Sequence, residues 1–281
     1  MEQSTINVYK VTLPIQGTKA VLNATGDWHY GVKGVDQKDI IHSLNSVVDK
    51  HKGNIFRVFT GDLLENSLKS SIGHNYDVSI PDPSDQKHGV MEILEETNKY
   101  LYGEATWKKL KLNKRSIDVR SIAVEGNHEM RTRKLTGQWL GEEMCVPAKV
   151  KWLGLSSLIE LTIVNKRLKM SKKYNIYVAH RPSKTNATSL ESILRAFKRK
   201  QSAIPGVDVM IFGHFHKRFI SANGYFDTTS KKFKKVLYVL NPSPMAGMEY
   251  AEEAGYPPLE VGHYVNIYLP LDKDRQPYGI V

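Results

Sequence analysis

Short apolar runs rich in β-branched residues alternate along the chain with segments of helical period, a pattern that predicts an α/β fold with helices covering a sheet. The spacing predicts strands over 20–25, 55–60, 117–124, 174–179 and 207–212. Helical period marks three segments between them. Asp36 caps a helix whose apolar face is Ile40, Ile41, Leu44, Val47 and Val48, with Gly53 after its end. Thr188 and Glu191 form a capping box ahead of Leu190, Ile193, Leu194 and Phe197, and a further helix is predicted over 90–102. Residues 65–85 carry Gly73, Asn75, Pro81 and Pro83 and read as a long loop, the kind that in compact domains often serves function. From Lys231 the pattern turns to strands without clear helices between them, at 235–240 and 264–269, which predicts antiparallel sheet closing one side. The expected organisation is one domain over 1–281, with a loop and helical insertion at about 65–115 and a β-rich part from about 231.

Composition narrows the class. With 281 residues, 41% hydrophobic and 25% charged, the chain suits a globular protein with a full core. Cys145 is the single cysteine, so an internal disulfide or a thiolate metal cluster is excluded and a reducing, cytoplasmic setting is expected. No apolar run approaches the roughly 18 residues of a membrane span, so no membrane partner is expected. The net charge of +11 favours anionic partners, nucleic acid or nucleotides first. Basic clusters at 108–115, 166–173, 195–200 and 231–235 could follow a phosphate backbone, with Trp107, Tyr174, Phe197 and Phe233 near them for stacking. Phe197 fits the apolar helix face better.

The chemistry gathers where the strands end. There the chain reads Gly26-Asp27-Trp28-His29, Gly61-Asp62, Gly126-Asn127-His128-Glu129, Ala179-His180 and Gly213-His214-Phe215-His216. Ligands of open α/β sheets bind outside the carboxyl ends of strands, so these blocks are expected to converge. Their oxygen and imidazole donors suit Mn²⁺, Fe or Zn²⁺, and seven are too many for one ordinary ion. Two ions sharing one carboxylate would use them all and would clamp the attacking and leaving oxygens of a displacement at phosphorus.

At these five blocks the sequence resembles the calcineurin-like metallophosphoesterase superfamily, with every block present in the family order. The resemblance implies a two-sheet β-sandwich flanked by helices, in four layers α/β/β/α, with a dinuclear site at the loops after the strands. It further implies that Asp27, His29 and His216 hold one ion, that Asn127, His180 and His214 hold the other, and that Asp62 bridges them. His128 becomes the acid beside the leaving oxygen, oriented by Glu129 or another carboxylate. Thr60 to Asn66, Gly126 to Gly137 with Arg131-Thr132-Arg133, and Tyr250 to Tyr256 resemble most the uncharacterised phage and prophage phosphoesterases related to DNA-repair exonucleases. Phosphoprotein phosphatases have Asp-Arg-Gly where this chain has Leu64-Glu65-Asn66, which lowers that reading. Arg131, Arg181 and His74 are candidates for substrate contact. The expected activity is phosphodiester hydrolysis by a metal-bridging hydroxide, Mn²⁺ being the first choice of metal. The alternatives are a phosphomonoesterase on nucleotides or phosphoproteins, and a non-catalytic scaffold of the same fold.

Overall fold

Strands whose two faces are both buried need cover on both sides, and the predicted strands that end in polar blocks are of this kind. In the computed structural model, which describes residues 6–67, 78–110, 119–182, 189–227, 231–245 and 261–280, they form the centres of two six-stranded sheets. The elements in chain order are β1 (Val8–Pro14), β2 (Lys19–Thr25), α1 (Gln37–His51), β3 (Ile55–Phe59), α2 (Pro83–Tyr102), α3 (Glu104–Lys109) and β4 (Ser121–Ala123). Then come α4 (Glu129–Thr136), α5 (Leu140–Cys145), β5 (Lys151–Trp152), β6 (Ser156–Asn165) and β7 (Met170–Ala179). The chain continues through α6 (Leu190–Ala203), β8 (Val209–Phe212), β9 (Phe219–Asp227), β10 (Lys232–Leu240), β11 (Val265–Pro270) and β12 (Tyr278–Ile280).

One sheet runs β1-β6-β7-β8-β10-β9 and the other β12-β11-β2-β3-β4-β5. β2 through β5 are parallel, as are β7, β8 and β10, so the ends of β2, β3, β4, β7 and β8 carry their polar blocks in a common direction within each sheet. Alternation along β3 shows how the layers form. Phe56 and Val58 join Leu22, Ile122, Ile176, Ile211 and Val239 in the core between the sheets, whereas Phe59 packs outward with Ile40, Leu44, Val90 and Leu94 of α1 and α2. On the far side, Ile193 and Phe197 of α6 cover Phe212 and Tyr238. The result is the expected helix-sheet-sheet-helix sandwich.

Several local expectations need correction. The α2 helix begins seven residues before the predicted 90, because Asp82 accepts a hydrogen bond from the Ser84 amide and Pro83 suits the first turn. Ser189, not Thr188, caps α6, accepting from the Ser192 amide; Thr188 lies outside the described residues. The predicted strand 117–124 is reduced to β4, its first two residues lying outside the described ones. The late strands do not close one side together. β10 lies between β8 and β9 in the first sheet, while β11 and β12 extend the second.

Candidate metal centre

The turns that leave β2, β3 and β8 bend sharply, and the bends fall on ligand candidates themselves. Asp27, His29, Asp62, His214 and His216 all have φ between 48° and 73°, the left-handed region that costs an L residue energy. Such strain persists only where surrounding contacts fix it. Glycines beside them let backbones meet: a Cβ on Gly126 would stand 2.1 Å from the Asp62 amide, and one on Gly213 would stand 2.4 Å from Asp27 Oδ2.

The described donors fall into three overlapping groups. Asp27, His29 and His216 form one, Asp62, His180 and His214 another, and His29, Asp62 and His128 lie between them. His29 Nε2 is 3.1 Å from His216 Nε2, and His216 Nε2 is 3.6 Å from Asp27 Oδ1. On the other side His180 Nε2 is 3.0 Å from both Asp62 Oδ2 and Asn127 Oδ1. Asp62 Oδ2 also lies 3.9 Å from His29 Nε2 and 3.8 Å from His128 Nε2, which puts Asp62 at the centre of the cluster. All seven predicted ligands are therefore brought together. Donors about 2.0–2.2 Å from one ion stand roughly 3 to 3.5 Å apart, the spacing of His29 from His216 and of His180 from Asp62 and Asn127, while the other pairs stand somewhat wider.

Electrostatics fit a cation as well. Asp27 is fully buried and its Oδ2 has no hydrogen-bond partner, a costly state for a carboxylate that a bound cation would relieve. Burial lifts its pKa to about 7. For His180, burial opposes the charged form but Asp62 outweighs it and raises the pKa to about 9, whereas burial and the charge of His180 push His214 down to about 4. A metal must therefore displace protons from Asp27 and His180, while His214 is ready to bind. Affinity for Mn²⁺ is expected to fall as pH drops through about 7, with proton release measured by calorimetry in buffers of differing ionisation enthalpy. Unchanged affinity between pH 6 and 8 would count against Asp27 as a ligand.

A second set of residues holds the first in place, and most of it was not foreseen. Glu65 is the carboxylate beside His128. Its Oε2 accepts from His29 Nδ1 at 2.7 Å and lies 3.3 Å from His128 Nδ1, and Ser67 Oγ donates to its Oε1. Burial alone would raise its pKa, yet the bonds to His128 and His29 hold the carboxylate far below its usual range. Glu129, predicted to orient His128, instead accepts from the amides of Asp62, Leu63 and Gly126 and so ties two site loops together. His128 Nδ1 bonds the Glu65 carbonyl, and Asn66 Nδ2 donates to the His128 carbonyl. Behind Asp27, Ser243 Oγ donates to its carbonyl oxygen and Asn241 Nδ2 donates to that of Gly26. Replacing Glu65 by glutamine is expected to lower hydrolytic turnover about 10- to 100-fold through misorientation of His29 and His128, measured as kcat with metal content checked in parallel.

The substrate candidates divide. Arg131 reaches the site, its Nη1 donating to the carbonyls of Glu65 and Asn66 and its Nη2 standing 3.0 Å from His128 Nε2. Arg181 is near enough to His214 to lower its pKa, after the larger effects of burial and His180. His74 lies outside the described residues. Trp28 is core, donating to Thr25 Oγ1 and packing edge-on against Phe59.

A family model described as calcineurin-like phosphoesterase matches residues 22–218, a span that contains every predicted ligand and His128. No curated protein matches the chain significantly. Among solved structures, a conserved uncharacterised protein (predicted phosphoesterase) from Streptococcus pneumoniae TIGR4 aligns at 10% identity and TM-score 0.37, over 93% of this chain and 97% of that one. Wild-type Vps29 complexed with zinc from Entamoeba histolytica aligns at 12% identity and TM-score 0.37, over 92% and 98%. The GAP50 anchor of the Plasmodium inner membrane complex aligns at 12% identity and TM-score 0.40, over 94% and 88%.

Proposed function

The chain belongs to the calcineurin-like phosphoesterase family, and from that premise we propose that it is a phosphodiesterase that works with two divalent ions, Mn²⁺ first among them, on nucleic acid. The observation that carries the reading is the overlap of the donor groups. Asp27, His29 and His216 would hold one ion and Asp62, His180 and His214, with Asn127, its neighbour, and Asp62, 3.9 Å from His29, would be shared between them. Bound there, divalent ions polarise phosphoryl oxygens and bring the pKa of water toward neutrality.

The chain's own residues supply the rest. His128 Nδ1–H donates a hydrogen bond to the Glu65 carbonyl oxygen, so Nε2 is the atom turned to the cluster, 3.8 Å from Asp62 Oδ2. Asp62 and Glu65 raise the pKa of His128 against the effect of burial, which suits it to carry a proton at Nε2 for a departing alkoxide. Arg131, beside that nitrogen, offers its guanidinium to a non-bridging phosphate oxygen, and Arg181 does so from the His214 side. The net charge of +11 supports a polyanionic substrate, and the likeness of the Thr60 to Asn66 and Gly126 to Gly137 segments to phage-type phosphoesterases points the same way. No helix among the described residues is long and apolar enough to cross a membrane.

The test is hydrolysis of bis-nitrophenyl phosphate, nitrophenyl phosphate and end-labelled single- and double-stranded DNA and RNA by the Mn²⁺-loaded protein. Cleavage of the diester and of a polynucleotide is expected. Turnover of the monoester alone would overturn the diesterase reading, and absence of metal-dependent turnover on any of them would return the chain to the scaffold class.

A further inference from the structure

Of the four aromatics that lie near basic clusters in the sequence, three belong to the interior. Trp107, Tyr174 and Phe197 are 6%, 1% and 0% exposed, whereas Phe233 is 84% exposed. Phe233 faces Phe226, its cross-strand partner on β9, with ring centroids 5.3 Å apart at 67°. Phe226 is itself 51% exposed, so the edge-to-face pair leaves the outer ring open. Lys235 follows on the same face of β10, exposed, opposite Gly224, where a Cβ would meet nothing within 4 Å. Two rings, a cation and a bare strip of backbone thus make a flat surface at the free edge of the first sheet.

Both strands of this hairpin are rooted in the metal centre. β9 leaves directly after the His214 to Arg218 segment, and β10 returns to Asn241 and Ser243, which hold the Gly26 and Asp27 carbonyls. From Phe219 to Phe226 the strand covers about 24 Å at the usual rise, a length suited to several nucleotides. We propose that the Phe226–Phe233 pair, with Lys231 and Lys235, is a stacking platform that holds single-stranded nucleic acid leading to the metal centre; this rests on the nucleic-acid reading above and deepens it.

Base stacking on an open ring combined with nearby cations is how single strands are bound without sequence preference. The chemistry of the hairpin disfavours other occupants. Lys235 and the exposed backbone at Gly224 share the face with the rings, so sinking the rings into a lipid layer would bury them too. A protein partner would want a broader apolar centre, but the same face continues from the two rings through Gly224, Ala222 and Lys235.

The test is fluorescence anisotropy of a labelled twenty-nucleotide oligothymidine with the full chain in EDTA, so that binding is read without cleavage. Phe233→Ala is expected to weaken binding about 5- to 150-fold, the worth of one stacked base. Phe226→Ala/Phe233→Ala should weaken it further, Phe233→Trp should restore it, and bis-nitrophenyl phosphate turnover with Mn²⁺ should stay at the wild-type value in all three. Equal binding by wild type and both alanine variants would overturn the platform, as would no binding by wild type. Loss in Phe233→Ala of anionic-vesicle binding or of a dimer, with oligothymidine binding intact, would assign the rings elsewhere and overturn it as well. A wild-type protein that binds the oligonucleotide but never cleaves it would sink the nuclease reading and leave the platform standing.

Discussion

Asp62→Asn is expected to cut metal-dependent phosphodiester hydrolysis by on the order of 10³-fold, the upper end of what loss of one preorganised electrostatic contact costs. The carboxylate is 1% exposed, and its two oxygens do different work. Oδ1 accepts the His128 amide at 2.8 Å, a bond asparagine can keep. Oδ2 faces His180, His128 and His29 at 3.0, 3.8 and 3.9 Å, and it is the negative charge there that asparagine lacks. The loop should therefore survive while the shared position between the two donor groups is lost. Thermal melting of the metal-free variant near the wild-type temperature, together with fewer bound ions and little turnover, is the expected combination. Wild-type turnover in a folded Asp62→Asn variant would remove Asp62 from the centre of the mechanism.

The second large effect belongs to His128. His128→Ala is expected to slow hydrolysis of a natural diester, whose leaving oxygen needs a proton, by about 10² to 10⁴-fold. The nitrophenyl diester, whose leaving group departs unprotonated, should lose far less. The split between the two substrates is the signature of an acid, because a purely structural defect would slow both alike. Equal losses on the two substrates would take the acid role away from His128. Glu65→Gln should show a weaker version of the same split, since Glu65 contacts His128 and His29 together.

That difference between His128 and Glu65 also marks how far the sequence could be read. All the ligand candidates except His180 were legible because they follow a buried strand and a glycine, a local pattern with a physical cause in the sharp turn; His180 follows Ala179 at the end of β7 and has only its place after a buried strand to mark it. Glu65 sits only three residues after Asp62, but its partner His128 is 63 residues away, and no spacing along the chain signals such a contact. The run from Thr60 to Ser67 is polar at five positions, and only the structure shows it to be buried throughout, where it needs internal partners. Asn241 and Ser243 were missed for the same reason, since they meet the Gly26–Asp27 loop across more than two hundred residues. Among the strands, β6 had a clear period of two, with Ser157, Ile159, Leu161 and Ile163 buried between half-exposed neighbours, and was passed over. β9 had no such signal. Its sequence Phe-Ile-Ser-Ala-Asn-Gly-Tyr-Phe-Asp carries little apolar alternation, and its place is set by nine paired positions on β10. β4 is short because Val124 and Glu125 turn toward the Gly126 loop, where the Glu125 amide bonds the Gly154 carbonyl rather than a strand partner.

The central claim, that two ions act together at this centre, is met most directly by titrating Mn²⁺ into the metal-free protein while following bis-nitrophenyl phosphate hydrolysis and bound metal in the same samples. Activity should stay low through the first equivalent, rise with the second and level off at two ions per chain. Full activity at one ion per chain, or saturation with two ions and no hydrolysis, would contradict it.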